Sequence, residues 1–172
     1  MWGVPCPARA PFSGGTARGM LVLAMTNRSD KSRVSFKNTQ MKNTSFTDVE
    51  LDDSRFEDVS MKECVLRDVD LSGANGDDLN MSRSTFKNVD LTGVTLEDAN
   101  LSNATLVDVN LSGAKVADAN FTGATLTDVN LSHGAITDAC IEGMTIAGVR
   151  IDELLRAHLA AVANSAVESV AL

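Results

Sequence analysis

Two histidines, three cysteines and three acidic doublets are the residues of this 172-residue chain whose types could do chemistry. A catalytic site needs a nucleophile or base, a hydrogen-bonding partner and a concave pocket. His133 stands where Gly73, Gly93 and Gly113 stand at equivalent spacing, so it reads as a turn substitution. His158 falls on the apolar side of a C-terminal helical pattern and reads as an interface or capping residue. Cys6, Cys64 and Cys140 show no CxxC and no paired spacing, so neither a disulfide framework nor a zinc site is expected. Serines and threonines recur too regularly to be nucleophiles. The sequence therefore predicts no enzyme, no metal site and no cofactor.

The carboxylates are more informative. Glu57-Asp58, Asp77-Asp78 and Glu97-Asp98 recur at a spacing of 20, which makes them a candidate acidic binding edge for a basic protein surface. Single aspartates continue the pattern, with Asp118 and Asp138 on the same face and Asp48, Asp68, Asp108 and Asp128 on the opposite one. Local turn capping accounts for most of these. Lys62 is the expected counter-charge for the doublets, with Lys42, Lys62 and Arg83 gathered on the adjoining face. The net charge of −8 argues against direct nucleic-acid binding, which needs a surplus of lysine and arginine. The acidity is uneven: residues 1–30 carry +2 and residues 91–150 carry −5.

What positions these side chains is a period of five. From Val34 on, 23 of 24 positions in the register Phe36, Met41, Phe46, Leu51 and onward to Ile151 are apolar, Gly76 being the exception. A second inward column lies two residues before each centre. In, out, in describes a short extended segment, because successive strand side chains alternate faces. The remaining two residues must turn a corner, and the second of them is Gly, Asn or Asp in most repeats. Equivalent columns repeat every 20 residues, as in Val49, Val69, Val89, Val109 and Val129, so four pentapeptides make one square turn and 24 make six. At the ~4.8 Å spacing of neighbouring strands the rod is roughly 29 Å long. Aromatics are only 4% with no tyrosine, which suits a narrow interior. At Gly76 a centre is missing, and Leu79 is expected to fill part of the void.

Residues 1–33 hold all three prolines and the one tryptophan and read as a poorly ordered leader. Met25, before Thr-Asn-Arg-Ser-Asp, reads as a natural start, which would place residues 1–24 outside the native protein. The apolar run Met20 to Met25 is too short for a signal peptide, so a reducing cytoplasm is the expected compartment. After the rod, over 34–153, Leu154, Leu155, His158, Leu159 and Val162 share a helical face, with Asp152 as N-cap. A helix over about 152–163 and a tail, in the segment 154–172, are expected to cap the open end of the coil or to form a dimer surface.

The segments Ala99-Asn100-Leu101-Ser102-Asn103, Val109-Asn110-Leu111-Ser112-Gly113 and Ala119-Asn120-Phe121-Thr122-Gly123 resemble the A(D/N)LxG signature of pentapeptide-repeat proteins. The resemblance implies an all-β solenoid, a right-handed quadrilateral β-helix. Qnr-like and mycobacterial relatives bind DNA gyrase in place of DNA and protect it from quinolones. Relatives that act on topoisomerases dimerise through their C-terminal ends. The expectation is thus a non-enzymatic, cytoplasmic protein-binding rod, an acidic DNA mimic with gyrase as partner and no membrane contact. A structural scaffold with an unspecified partner is the alternative. The Qnr-like proteins carry projecting loops that matter for protection, and 34–153 has none.

Overall fold

A computed structural model describes residues 34–170; the leader expected over 1–33 lies outside the described residues. The chain winds into about six stacked turns. One parallel sheet stacks β1 (Ser35–Gln40), β3 (Arg55–Ser60), β5 (Asn75–Asn80), β7 (Thr95–Glu97), β9 (Lys115–Ala117) and β11 (Ala135–Thr137). The opposite sheet stacks β2 (Ser45–Glu50), β4 (Val65–Asp70), β6 (Thr85–Asp90), β8 (Thr105–Asn110), β10 (Thr125–Asn130) and β12 (Thr145–Ile146), then adds β13 (Val149–Arg150) antiparallel. Every parallel pair is offset by 20 residues, as in Phe56 with Gly76 and Val69 with Val89. The square turn inferred from the column spacing is therefore the register of the ladder itself.

Corners follow the pentapeptide. The second corner residue takes a positive φ throughout, from Asn38 at 51° to Gly148 at 78°, and includes Glu63, Arg83 and His133. Asp and Asn dominate the non-glycine cases because their short polar side chains best tolerate this left-handed region. The four faces are not alike, however. Most strands in the two sheets run for six residues, straight through a corner, rather than the expected three. The other two faces turn more tightly, with Ala74 N–H donating to Leu71 C=O on one and Ala104 N–H to Leu101 C=O on the other, the hydrogen bond of a type II turn.

The tight faces carry their own side-chain caps. Ser72 N–H donates to Asp70 Oδ1 at 2.8 Å, and Asp90, Asn100, Asn110, Asn120 and Asn130 accept in the same way from the residue two places on. Turn capping thus falls on the residue before each centre, every ten residues, and not chiefly on the second-corner aspartates to which it was assigned.

Inside, the centres and the second column form one core of aliphatic ladders. Phe36 and Phe56 stack at 5.1 Å near the N-terminal end. A Cβ built on Gly76 would lie 2.5 Å from Leu79 Cδ1 and 2.8 Å from Leu96 Cδ2, so Leu79 does occupy the space of the missing centre. Cys64 is a free, buried thiol that donates to Met41 C=O, and burial raises its pKa. Ser84 Oγ makes the analogous insertion one coil later, accepting from Cys64 N–H and donating to Met61 C=O. Cys64 and Cys140 are not bonded to each other.

The repeat register ends one unit early. Ala147 and Gly148 both take positive φ and fold the chain into the β12–β13 hairpin, after which α1 (Ile151–Val170) begins. The centre expected at Ile151 is thus the first residue of a helix longer than the one read from sequence. Asp152 lies buried inside that helix, not before it. Its carboxylate accepts from Arg150 at 2.7 and 2.9 Å, from Arg156 and from Gly143 N–H, tying the helix start to the last coil.

The hydrogen bond from Arg150 holds the Asp152 carboxyl well below the usual aspartate range. A carboxylate whose folded pKa is depressed stabilises the fold above its unfolded pKa, about 3.9, and that stability is lost as pH falls through the folded value. Circular dichroism from pH 7 to pH 2 should therefore show helix signal falling below about pH 4, and Asp152→Asn should flatten that limb. An identical acid limb in the variant would contradict the role given to Asp152.

Candidate protein-binding edge

The doublets come together as the spacing requires. Lys37, Glu57, Asp77 and Glu97 are directly opposed on β1, β3, β5 and β7, so their side chains form one outward file at ~4.8 Å steps. Asp58, Asp78 and Asp98 stand beside them at the positive-φ corner, and Asp118 and Asp138 continue that second file. Like charges opposed in neighbouring strands destabilise the sheet unless compensated.

Compensation is confined to one end of the file. Lys37 Nζ lies 2.6 Å and Arg55 Nε 3.6 Å from Glu57, and the hydrogen bond from Lys37 lowers the Glu57 pKa. Lys62 does not serve the edge as expected. It joins Lys42 and Arg83 around Glu63, whose pKa the Arg83 hydrogen bond lowers. Asp58 keeps a buried Oδ1 with no hydrogen-bond partner. Among the described residues no cation lies within ion-pair distance of Asp77, Glu97 or Asp98. The accessible charge of the edge is therefore shifted toward its later members. On the opposite sheet Asp68 accepts from Asn88 Nδ2 at 2.6 Å, one coil apart, so the aspartates there are partly taken up by their own ladder.

Two models of one family match the chain: "Pentapeptide repeats (8 copies)" over residues 32–68 and "Pentapeptide repeat region" over residues 79–155. The chain belongs to the pentapeptide-repeat family. No curated protein sequence matches it. Among solved structures, the pentapeptide-repeat protein Rfr23 of the cyanobacterium Cyanothece 51142 is 18% identical, covers 64% of this chain and 90% of its own, and has a TM-score of 0.38. A trypsin-treated form of QnrB1, a plasmid-mediated fluoroquinolone resistance protein, is 14% identical, covers 69% and 89%, and scores 0.34. HetL, a pentapeptide-repeat protein involved in heterocyst differentiation regulation in Nostoc sp. strain PCC 7120, is 14% identical, covers 67% and 92%, and scores 0.23. At these identities the likeness concerns the fold alone.

His133 is an exposed corner residue at φ 57°, consistent with a turn substitution. Among the described residues no group of histidines, cysteines and carboxylates could hold a metal ion, and no helix is long and apolar enough to cross a membrane. On α1, Leu154, Leu155, His158, Leu159 and Val162 all have solvent-exposed side chains, Leu159 by 66%. Val149 and Ile136 of the last coil are exposed as well. The helix follows the coil without laying this stripe upon it.

Proposed function

We propose that this pentapeptide-repeat protein is a non-enzymatic, protein-binding rod whose acidic edge stands in for a DNA strand on a topoisomerase, with DNA gyrase as the partner. The observation that carries this is the uncompensated pair Asp77 and Glu97, opposed in strand register, with Asp98 beside them at the corner. DNA phosphates on one strand are ~3.4 Å apart along the axis, so a carboxylate ladder at the ~4.8 Å strand spacing matches their sign and line more than their pitch. The rod works in the cytoplasm and pairs with a second copy through its C-terminal end, where the stripe on α1 and the last coil leave apolar surface open.

A gyrase supercoiling assay tests the partner. Wild-type rod at micromolar concentration should inhibit, and Asp77→Asn, Asp78→Asn, Glu97→Gln and Asp98→Asn combined should weaken inhibition at least tenfold. Absent inhibition, or inhibition equal in the variant, would remove gyrase as the target. A structural scaffold is the second reading, and the positive φ at each second-corner aspartate favours it. That backbone demand explains an aspartate at those positions without any partner.

A further inference from the structure

One titratable side chain stands inside the apolar stripe of α1. Residues three and four places apart share a helix face, and on either side of His158 those places hold Leu154, Leu155, Ala161 and Val162. All five are exposed. The charged residues of α1 up to Val162 stand at none of these places. Asp152 is bonded to Arg150 and Arg156, and Glu153 lies 3.5 Å from Arg150, so these four groups form the latch at the helix start. The helix meets the rod chiefly at β13, whose charged residue is that same Arg150. Among the described residues His158 is therefore the one member of the stripe whose charge can change.

The charges next to the stripe favour a second copy as its cover. Glu153 and Arg156 are both exposed and of opposite sign. A two-fold interface brings residue i to j and j to i, so such a patch can set Glu153 of each copy against Arg156 of the other. A partner of one sign would meet a like charge instead. In that pairing His158 loses water in both copies at once. A neutral imidazole tolerates apolar burial, whereas an imidazolium there would be a buried charge without a counter-ion. Histidine side chains gain their proton as pH falls from about 8 to about 5. The pairing is thus strongest where the imidazole is neutral and loosens through that range, because the separated chains take up the proton more readily. Repulsion between two acidic rods changes in the opposite sense, since acidification lowers their net negative charge.

We propose that His158 is a pH switch on the C-terminal pairing, holding two copies together when neutral and releasing them on acidification; the switch rests on the pairing proposed above. Sedimentation equilibrium of the full chain over a concentration series at pH 7.5 and pH 5.5, with His158→Leu alongside, tests it. The dimer dissociation constant of the wild type should rise at least tenfold at the lower pH, and that of His158→Leu should stay within twofold. Leucine is a good helix former at an exposed site, so the variant keeps its fold. His133, on its corner of the rod, titrates alike in both proteins. Equal wild-type constants at the two pH values, or a shift that survives in His158→Leu, would overturn the switch and leave the pairing standing. A wild type that is monomeric at both pH values would overturn the switch and the pairing together.

Discussion

Leu79→Ala is expected to lower the unfolding free energy by about 3–5 kcal/mol, at the upper end of the range for leucine truncation in a core. Its ladder neighbour Val59, equally buried, should lose only about 2 kcal/mol on change to Ala. The difference lies in what surrounds the lost atoms. Leu79 Cδ1 reaches over Gly76 into the place of a missing centre, and both residues line an apolar void inside the coil. Truncation there enlarges an existing void. The same geometry predicts coupling. Gly76→Ala alone should destabilise, because its Cβ would meet Leu79 and Leu96, yet it should partly rescue Leu79→Ala by occupying the vacated space. Urea unfolding of the four proteins in this cycle provides the check; equal losses at positions 59 and 79, with additive effects at 76 and 79, would contradict the assignment.

Leu155→Glu with Leu159→Glu should convert a dimer into a monomer. Leu154, Leu155 and Leu159 are exposed on α1, which begins beside the exposed Val149 of β13, and this apolar surface is what the proposed second copy would cover. Both substitutions fall at solvent-exposed helix positions where glutamate is nearly as good a helix former as leucine, so the fold should survive. Two glutamates in an apolar interface would be buried without partners, which association cannot tolerate. Light scattering behind size exclusion should give twice the chain mass for wild type and the chain mass for the variant. A monomeric wild type, or a variant that remains dimeric, would refute the C-terminal interface.

The period of five was enough to place the coils, because every inward residue in a square solenoid repeats the same environment and nothing interrupts the register. Leu79 over Gly76 was legible for the same reason: one missing member of a strict column names its own replacement. The two kinds of face were harder to see. Their signal was present, Asx before the centre at 70, 80, 90, 100, 110, 120 and 130, but a period of ten hides within a period of five when only the apolar columns are followed. The acidic edge assembled as its spacing required, whereas its counter-charge did not. Lys37 lies 20 residues before Glu57 and so directly beside it on the next strand, while Lys62 is near in sequence and belongs to Glu63. The C-terminal boundary shifted because two consecutive positive-φ residues make a hairpin, a local choice that an apolar Ile151 in register conceals.

The central claim is that the acidic edge occupies a surface made for DNA. Fluorescence anisotropy of labelled rod titrated with gyrase, then with duplex DNA as competitor, tests it most directly. The account predicts saturable binding that weakens with added salt and is displaced by DNA, with affinity reduced at least tenfold when Asp77, Asp78, Glu97 and Asp98 are neutralised. Binding that DNA leaves untouched, or that the neutralised variant retains in full, would contradict it.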